Sequence, residues 1–354
     1  MAAGGVIGVG IAGYGLAGRR FHAPFIATVD GLRVAAIATS DPGRQGQARA
    51  EHPDAVVLET IDALIEHPDV ELVVVATPNR WHAPIATQAL AAGRHVVVDK
   101  PVAMDVAEAE ALVDSATKAG RILSVYQNRR WDGDFQTVRS LIDDGRLGAI
   151  DSLEARFERW SVVGDEWRET AEQAGGPHRD LGAHLVDQSL LLFGPASRVF
   201  AQIDRRRPGT AVDDSVFVAI DHANGVHSRL WTSLIATHTG PRLRVRGLAG
   251  EYVKQDLDVQ EGQLLAGMRP DAAAFGVETP EQWGTLFGSD GRAEAIPTER
   301  GDYGRFYALL RDAIRGAGPV PVDPLDSIRA LRVLEAAERS ARTGSVVPMV
   351  EASA

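Results

Sequence analysis

Residues Val6 to Ala12 form a short apolar run that breaks into Gly13-Tyr14-Gly15-Leu16-Ala17-Gly18 before a helical pattern begins. A strand, a glycine turn and a helix start in that order leave few folds open. Gly13 permits a tight turn, Gly15 lets backbone approach a pyrophosphate, and Gly18 lets helix and strand pack closely. A phosphate then lies at the helix N-terminus, where unpaired N–H groups point at it. The competing reading is a glycine turn with no ligand, and the position directly after the first apolar strand weighs against it.

At 354 residues, 45% of them hydrophobic, the chain can fill two ordinary cores. A formal charge of −11 repels nucleic-acid phosphates, so no nucleic-acid partner is expected. The absence of cysteine excludes disulfides, thiolate metal sites and a cysteine nucleophile. No run reaches the roughly 18 apolar residues of a membrane helix. The first residues also lack a basic segment followed by an apolar stretch, so the chain is expected to be cytoplasmic, with no membrane partner.

Up to about Val125, β-branched runs alternate with amphipathic stretches, the pattern of βαβ units and a parallel sheet. Strands are expected at Val6 to Ala12, Arg33 to Thr39, Val56 to Leu58, Leu72 to Ala76, His95 to Val98 and Ile122 to Val125. Helices are expected near Ile61 to Glu66, His82 to Ala92 and Val106 to Ala119. After Tyr126 a helical segment, Phe135 to Asp144, precedes alternating runs at Ile150 to Trp160, Val199 to Ile203, Ser215 to Asp221 and His227 to Ile235. Such alternation predicts a large, mostly antiparallel sheet with one face open or covered by a partner. Helical patterns return at Tyr303 to Arg315 and Leu325 to Arg342. The fold class is therefore α/β, with a first domain over residues 1–126 and a second over 127–354, the C-terminal helix packing back on the first. No linker or repeat separates them, so a shared interface is expected.

Thr77-Pro78-Asn79 follows the fourth strand and Asp99-Lys100-Pro101 the fifth, which puts both at the carboxyl edge of the sheet, where open α/β sheets bind ligands. Lys100 reads either as a cleft lysine held by the stiff backbone before proline or as a surface lysine in an ordinary turn. Downstream, Asp180, His184 and Asp187 fall at i, i+4 and i+7, one face of a helix. An imidazole titrating near neutrality beside carboxylates suits acid–base chemistry. Alternatively Asp180 is an N-cap and His184 a hydrogen-bonded structural histidine. One histidine and two carboxylates do not suggest a metal site.

The combination of Gly13-x-Gly15-x-x-Gly18, Asp99-Lys100-Pro101 and Asp180-x-x-x-His184-x-x-Asp187 resembles the glucose–fructose oxidoreductase, inositol dehydrogenase and rhizopine catabolism (Gfo/Idh/MocA) family, over essentially the whole chain. Longer matches, Phe21-His22, the stretch Ser124 to Asp132 and Asp180 to Gln188, look most like its NADP-dependent scyllo-inositol dehydrogenase branch. The resemblance implies a Rossmann domain followed by an α/β domain, an active site in the cleft between them, and a homodimer or homotetramer with sheets packed face to face. It implies that Lys100 binds cofactor ribose and substrate hydroxyl, that Asp180 orients substrate or histidine, and that His184 exchanges the proton. Asn128 and Trp131 fall where the domains meet and are expected to line the nicotinamide and substrate pocket, against simple core burial for Trp131. Two departures stand out: Asp99 replaces the usual glutamate, and Arg179 stands where the branch commonly has an aromatic. Facing the pocket, Arg179 would favour a carboxylate or phosphate substrate over a neutral polyol.

The second strand ends Ile37-Ala38-Thr39-Ser40 with no carboxylate for a ribose 2′-hydroxyl, and Arg44 follows within reach of a 2′-phosphate, so NADP is expected over NAD. Asp41 opposes this if the strand runs further. Cofactor contacts are expected at Gly13, Gly15, Leu16, Ala17, Gly18, Thr39, Ser40, Arg44, Thr77, Pro78, Asn79, His82, Lys100 and Asn128, and substrate contacts at Lys100, Asn128, Trp131, Asp180 and His184. The expected reaction is hydride transfer between nicotinamide and a secondary alcohol of a polyol, inositol or sugar. Two other classes stay open: a non-enzymatic nucleotide or sugar sensor, and a cofactor-dependent glycosidase. The apolar positions of Ser215 to Ile220 and Arg229 to Ile235, with few charges on either face, point to a sheet covered by a second subunit.

Overall fold

The alternation of apolar strands with amphipathic helices produces a six-stranded parallel sheet in the computed structural model, which describes residues 5–163, 170 and 175–349. Its strands are β1 (Ile7–Ala12), β2 (Leu32–Ala38), β3 (Val56–Leu58), β4 (Leu72–Val75), β5 (His95–Val98) and β6 (Leu123–Val125), in the order β3-β2-β1-β4-β5-β6. Every residue of β1 and β4 is buried, as helices on both faces require of continuous Val and Ile runs. This is the dinucleotide-binding strand order, and its reversal lies between β1 and β4. The sheet belongs to a unit made of Met1–Asn128, Gln260–Phe275 and Asp302–Ile328. In that unit Phe25 packs edge-on against Phe275 and Tyr303, and Tyr126 against Phe306.

Helices Ile61–Glu66 and Val106–Ala119 lie where their periodicity places them. The segment after the glycine turn begins as a π-helical turn, Ala17–His22, before the α-helix Ala23–Thr28. One helix, Pro42–Glu51, has no apolar stripe to announce it. Asp41 caps it, its Oδ1 accepting the Arg44 N–H at 2.8 Å, and Pro42 supplies a first residue already helical in φ.

The second unit comprises Arg129–Val259, Gly276–Gly301 and Arg329–Ala354. It holds a nine-stranded sheet of β7 (Ile150–Glu158), β8 (Ala196–Asp204), β9 (Ser215–His222), β10 (His227–Ser233), β11 (Leu243–Gly247), β12 (Gly250–Lys254), β13 (Gly284–Gly288), β14 (Ala293–Ile296) and β15 (Val347–Pro348). The order is β14-β13-β12-β11-β7-β10-β9-β8-β15, and only β7 and β10 run parallel. Helix Gly182–Phe193 packs on β7 and β10.

Burial alternates strictly along β9 and along most of β10, but the outer face of the sheet is not the charge-poor apolar surface that these runs suggest. Val216, Val218, Ile220 and Leu230 are buried, while Phe217 and Trp231 point the other way, their rings 5.1 Å apart. The Arg156 guanidinium stands 3.9 Å over the Trp231 ring and pairs with Glu154. Arg244 and Arg246 both reach Glu251. The neighbouring β7, β11 and β12 supply the charges, so the face is an aromatic strip flanked by ion pairs. Among the described residues no helix is long and apolar enough to cross a membrane.

Candidate active site

The three glycines of the first turn serve three different ends. Gly13 has φ +98°, and a Cβ there would lie 2.5 Å from the Ala76 carbonyl oxygen. A Cβ on Gly18 would lie 2.1 Å from the oxygen of Gly13, so helix and turn touch backbone to backbone. A Cβ on Gly15, by contrast, would meet only the Arg44 guanidinium, at 3.9 Å. Gly13 and Gly18 are demanded by the fold, whereas Gly15 keeps open a space that a side chain would fill. That space suits a pyrophosphate: it adjoins backbone N–H groups and has a cation at its rim. Leu16 is exposed beside it and Ala17 half-buried.

At the end of β2 Thr39 is buried and Ser40 exposed. Arg44 is exposed as well. Asp41, the alternative ribose ligand, already caps the helix that carries Arg44. Along the same sheet edge Thr77 and Pro78 are half-buried and Asn79 buried. His82 departs from the expected cofactor contact: its Nδ1 lies 2.7 Å from the Pro101 carbonyl and its Nε2 2.8 Å from that of Thr77. With 1% of its surface exposed, it ties the loop after β4 to the loop after β5.

Lys100 is half-buried at the end of β5, followed by a cis peptide to Pro101. Its backbone N–H donates to Asp99 Oδ1 at 2.8 Å. Burial pushes the Asp99 carboxyl up, but His22, Lys100 and His82 outweigh it and hold the group below its ordinary range. β2, β1, β4 and β5 are neighbours, so Arg44, the glycine turn, Asn79 and Lys100 lie along one edge of one sheet. Asn128, buried, opens the 3₁₀ turn Asn128–Trp131, and Trp131 at its end is half-buried rather than sealed in a core.

In the second unit the helix expected to carry Asp180, His184 and Asp187 on one face is interrupted. Pro177–Asp180 is a separate short helix, Leu181 follows, and Gly182–Phe193 begins afresh. Asp180 thus ends one helix, and Leu181 holds the N-cap position of the next. His184 sits in the first turn of the second, 6% exposed, its ring 6.2 Å from Phe157. Phe157 is itself held between the guanidiniums of Arg129, at 4.7 Å, and Arg242, at 4.2 Å. Asp187 leaves the constellation: it is buried and grips Arg130 through two bonds of 2.8 and 2.6 Å. A carboxylate spent in a buried fork of this kind holds structure and is not free to move protons.

Arg179 is likewise engaged. Its Nε and Nη2 donate to the two oxygens of Glu338 at 2.7 and 3.0 Å. Its charge is matched within the unit, which removes the ground for expecting an anionic substrate on its account. Asp213, not singled out in the sequence, anchors the short helix: Oδ2 accepts the His178 N–H at 2.8 Å, and a Cβ on Gly176 would come within 2.3 Å of Oδ1. Nothing local in the sequence marks a residue 35 positions away as the anchor. Burial pushes the Asp213 carboxyl up to about 6 and the His178 imidazole down to about 4. Among the described residues no group of histidine and carboxylate side chains is arranged to hold a metal ion.

Comparison with known proteins agrees with both halves. Residues 7–127 match the oxidoreductase family model described as an NAD-binding Rossmann fold, and residues 139–349 the model for its C-terminal alpha/beta domain. The scyllo-inositol 2-dehydrogenase (NADP(+)) IolW of Bacillus subtilis is 35% identical over 95% of this chain and 94% of its own length. The D-glucoside 3-dehydrogenase of Escherichia coli is 32% identical over 61% of this chain and 67% of its own. A crystal structure of an oxidoreductase from Bacillus cereus superposes with a TM-score of 0.89 at 28% identity, covering 98% of this chain and all of that one (100%).

The Asp213 anchor has a pH signature. A carboxyl raised from about 3.9 unfolded to about 6 folded binds its proton more tightly in the native state. The stability it contributes is complete below pH of about 4 and is lost as pH rises through about 6, a difference of about 3 kcal/mol. Asp213→Asn keeps an oxygen for the His178 N–H and abolishes that titration. Denaturant melts from about pH 4 to about pH 7.5 are expected to show the variant gaining on the wild type as pH rises, and parallel curves would contradict the anchor's buried charge.

Proposed function

Because the chain belongs to the Gfo/Idh/MocA oxidoreductase family, we propose that it is an NADP-preferring dehydrogenase acting on a secondary alcohol of a polyol, inositol or sugar. The observation that carries the cofactor preference is Arg44 at the rim of the space over Gly15, with Asp41 Oδ1 engaged in a helix cap. A guanidinium there matches the 2′-phosphate of NADP, and the β2 end offers no carboxylate to the ribose. The name of the B. subtilis relative points the same way for cofactor and substrate. A neutral polyol also suits a site whose nearby arginine is already paired with Glu338.

The nicotinamide, when bound, accepts or returns the hydride. Lys100 would hold the reacting hydroxyl and lower the energy of the alkoxide as the proton leaves, since a fixed ammonium is worth most where water is excluded. His184 would take that proton, with Asp180 orienting the substrate or the imidazole. The Arg129–Phe157–Arg242 stack keeps the face on which His184 rests from shifting. Asn128 and Trp131 would line the same pocket.

The aromatic strip formed by Phe217 and Trp231 supports a homodimer or homotetramer in which a second copy covers the sheet.

The activity is tested by following NADPH formation with a panel of inositols, aldoses and sugar acids. One or more inositols or sugars are expected to turn over. His184→Ala should lower kcat by about 10² to 10⁴ with NADPH affinity unchanged, and Arg44→Ala should erode the preference for NADP. Full turnover in His184→Ala, or an NAD preference indifferent to Arg44→Ala, would overturn the respective assignment. Light scattering should return two or four times the chain mass of 37.9 kDa; a monomer at micromolar concentration would contradict the assembly.

A further inference from the structure

His22 is fully buried at the end of the π-helical turn Ala17–His22, the turn that starts at the phosphate-binding glycines. Its Nδ1 lies 2.5 Å from the hydroxyl of Tyr307, which helix Gly304–Ile314 returns to the first unit. Its Nε2 faces Asp99 Oδ2 at 3.6 Å. The other oxygen of Asp99 accepts the Lys100 N–H. Tyr307, His22, Asp99 and the Lys100 backbone therefore form one line of polar groups.

The direction of the line follows from the chemistry of its ends. The Asp99 carboxyl, held below its ordinary range, only accepts, and the Tyr307 hydroxyl, which burial with Tyr126 and Asp99 nearby pushes well above its usual range, keeps a proton to donate to Nδ1 of the neutral ring. That leaves Nε2–H directed at the Asp99 carboxylate. The Tyr126 ring packs against the imidazole, 4.4 Å between centroids, and its own hydroxyl is fixed to the Phe21 carbonyl at 2.7 Å. The ring is thus clamped by Tyr126 on its face and by Tyr307 on its edge. At 3.6 Å the contact with Asp99 is electrostatic, and a movement of less than about 1 Å in the π-turn makes it a hydrogen bond. π-turns cluster at functional sites and are irregular enough to yield in this way.

We propose that His22 is a positioning residue: through Asp99 it links the turn that receives the cofactor phosphates to the backbone of Lys100. This rests on the reading of Lys100 as a cofactor contact. The chain's own departure, aspartate in place of glutamate before the lysine, fits the link, because the shorter side chain bends back to its neighbour's N–H and still presents an oxygen to His22.

NADPH titration by fluorescence tests the link without any substrate. His22→Leu is expected to weaken NADPH binding about fivefold in the otherwise wild-type chain and by less than about twofold in a Lys100→Ala background, because effects transmitted through one residue do not add. Tyr307→Phe removes a single oxygen and should act in the same direction more weakly, and it serves if His22→Leu does not fold. Equal losses with and without Lys100, or no loss from either variant, would overturn the link. A Lys100→Ala protein that binds NADPH as the wild type does would instead overturn the function assigned to Lys100, and the link with it.

Discussion

The contact between Gly18 and Gly13 is the constraint on which the first unit depends. A backbone lies where any Cβ would collide, so the helix N-terminus is drawn against the strand and over the edge of β4. The segments that follow four neighbouring strands then share one edge, and Arg44, Asn79 and Lys100 need no further device to gather there. His82 adds the lateral tie, bonding the loops after β4 and β5 to each other. The space above Gly15 is what this packing leaves over, and it has the chemistry of an anion site.

The second unit is organised by charges withdrawn from water. Arg130 with Asp187, Arg242 with Asp134 and Lys254 with Glu278 are all buried pairs. Such pairs add little net stability over apolar replacements, yet breaking one strands a charge, so they enforce one arrangement of the segments they join. Arg242 also bonds Gln188, which bonds the Arg129 carbonyl. The floor under His184 is therefore tied by hydrogen bonds to the sheet and to the turn after Asn128.

What is legible in the sequence follows from range. Val56–Leu58, His95–Val98 and Ile61–Glu66 are readable because their signal is local periodicity, and the glycine turn because its closest approach, Gly18 on Gly13, falls within six residues. The polar helix Pro42–Glu51 escapes notice because it buries almost nothing, and the hairpins from Leu243 to Ile296 because charged outward positions and glycines dilute their alternation. In the site, spacing alone puts Asp187 with His184. Leu181 breaks the helix, and Arg130, 57 positions away, claims the carboxylate. Arg179 with Glu338 and Asp213 with His178 are likewise pairings of distant residues, for which no local pattern exists.

The proposed chemistry requires Lys100 and His184 to serve one hydroxyl group. A crystal structure of a His184→Asn variant, expected to turn over slowly, with NADP and the polyol that the wild type oxidises would test this most directly. One substrate oxygen is expected within about 3.2 Å of both Lys100 Nζ and the substituted side chain at position 184. A substrate oxygen held by Lys100 with position 184 out of hydrogen-bond reach would contradict it.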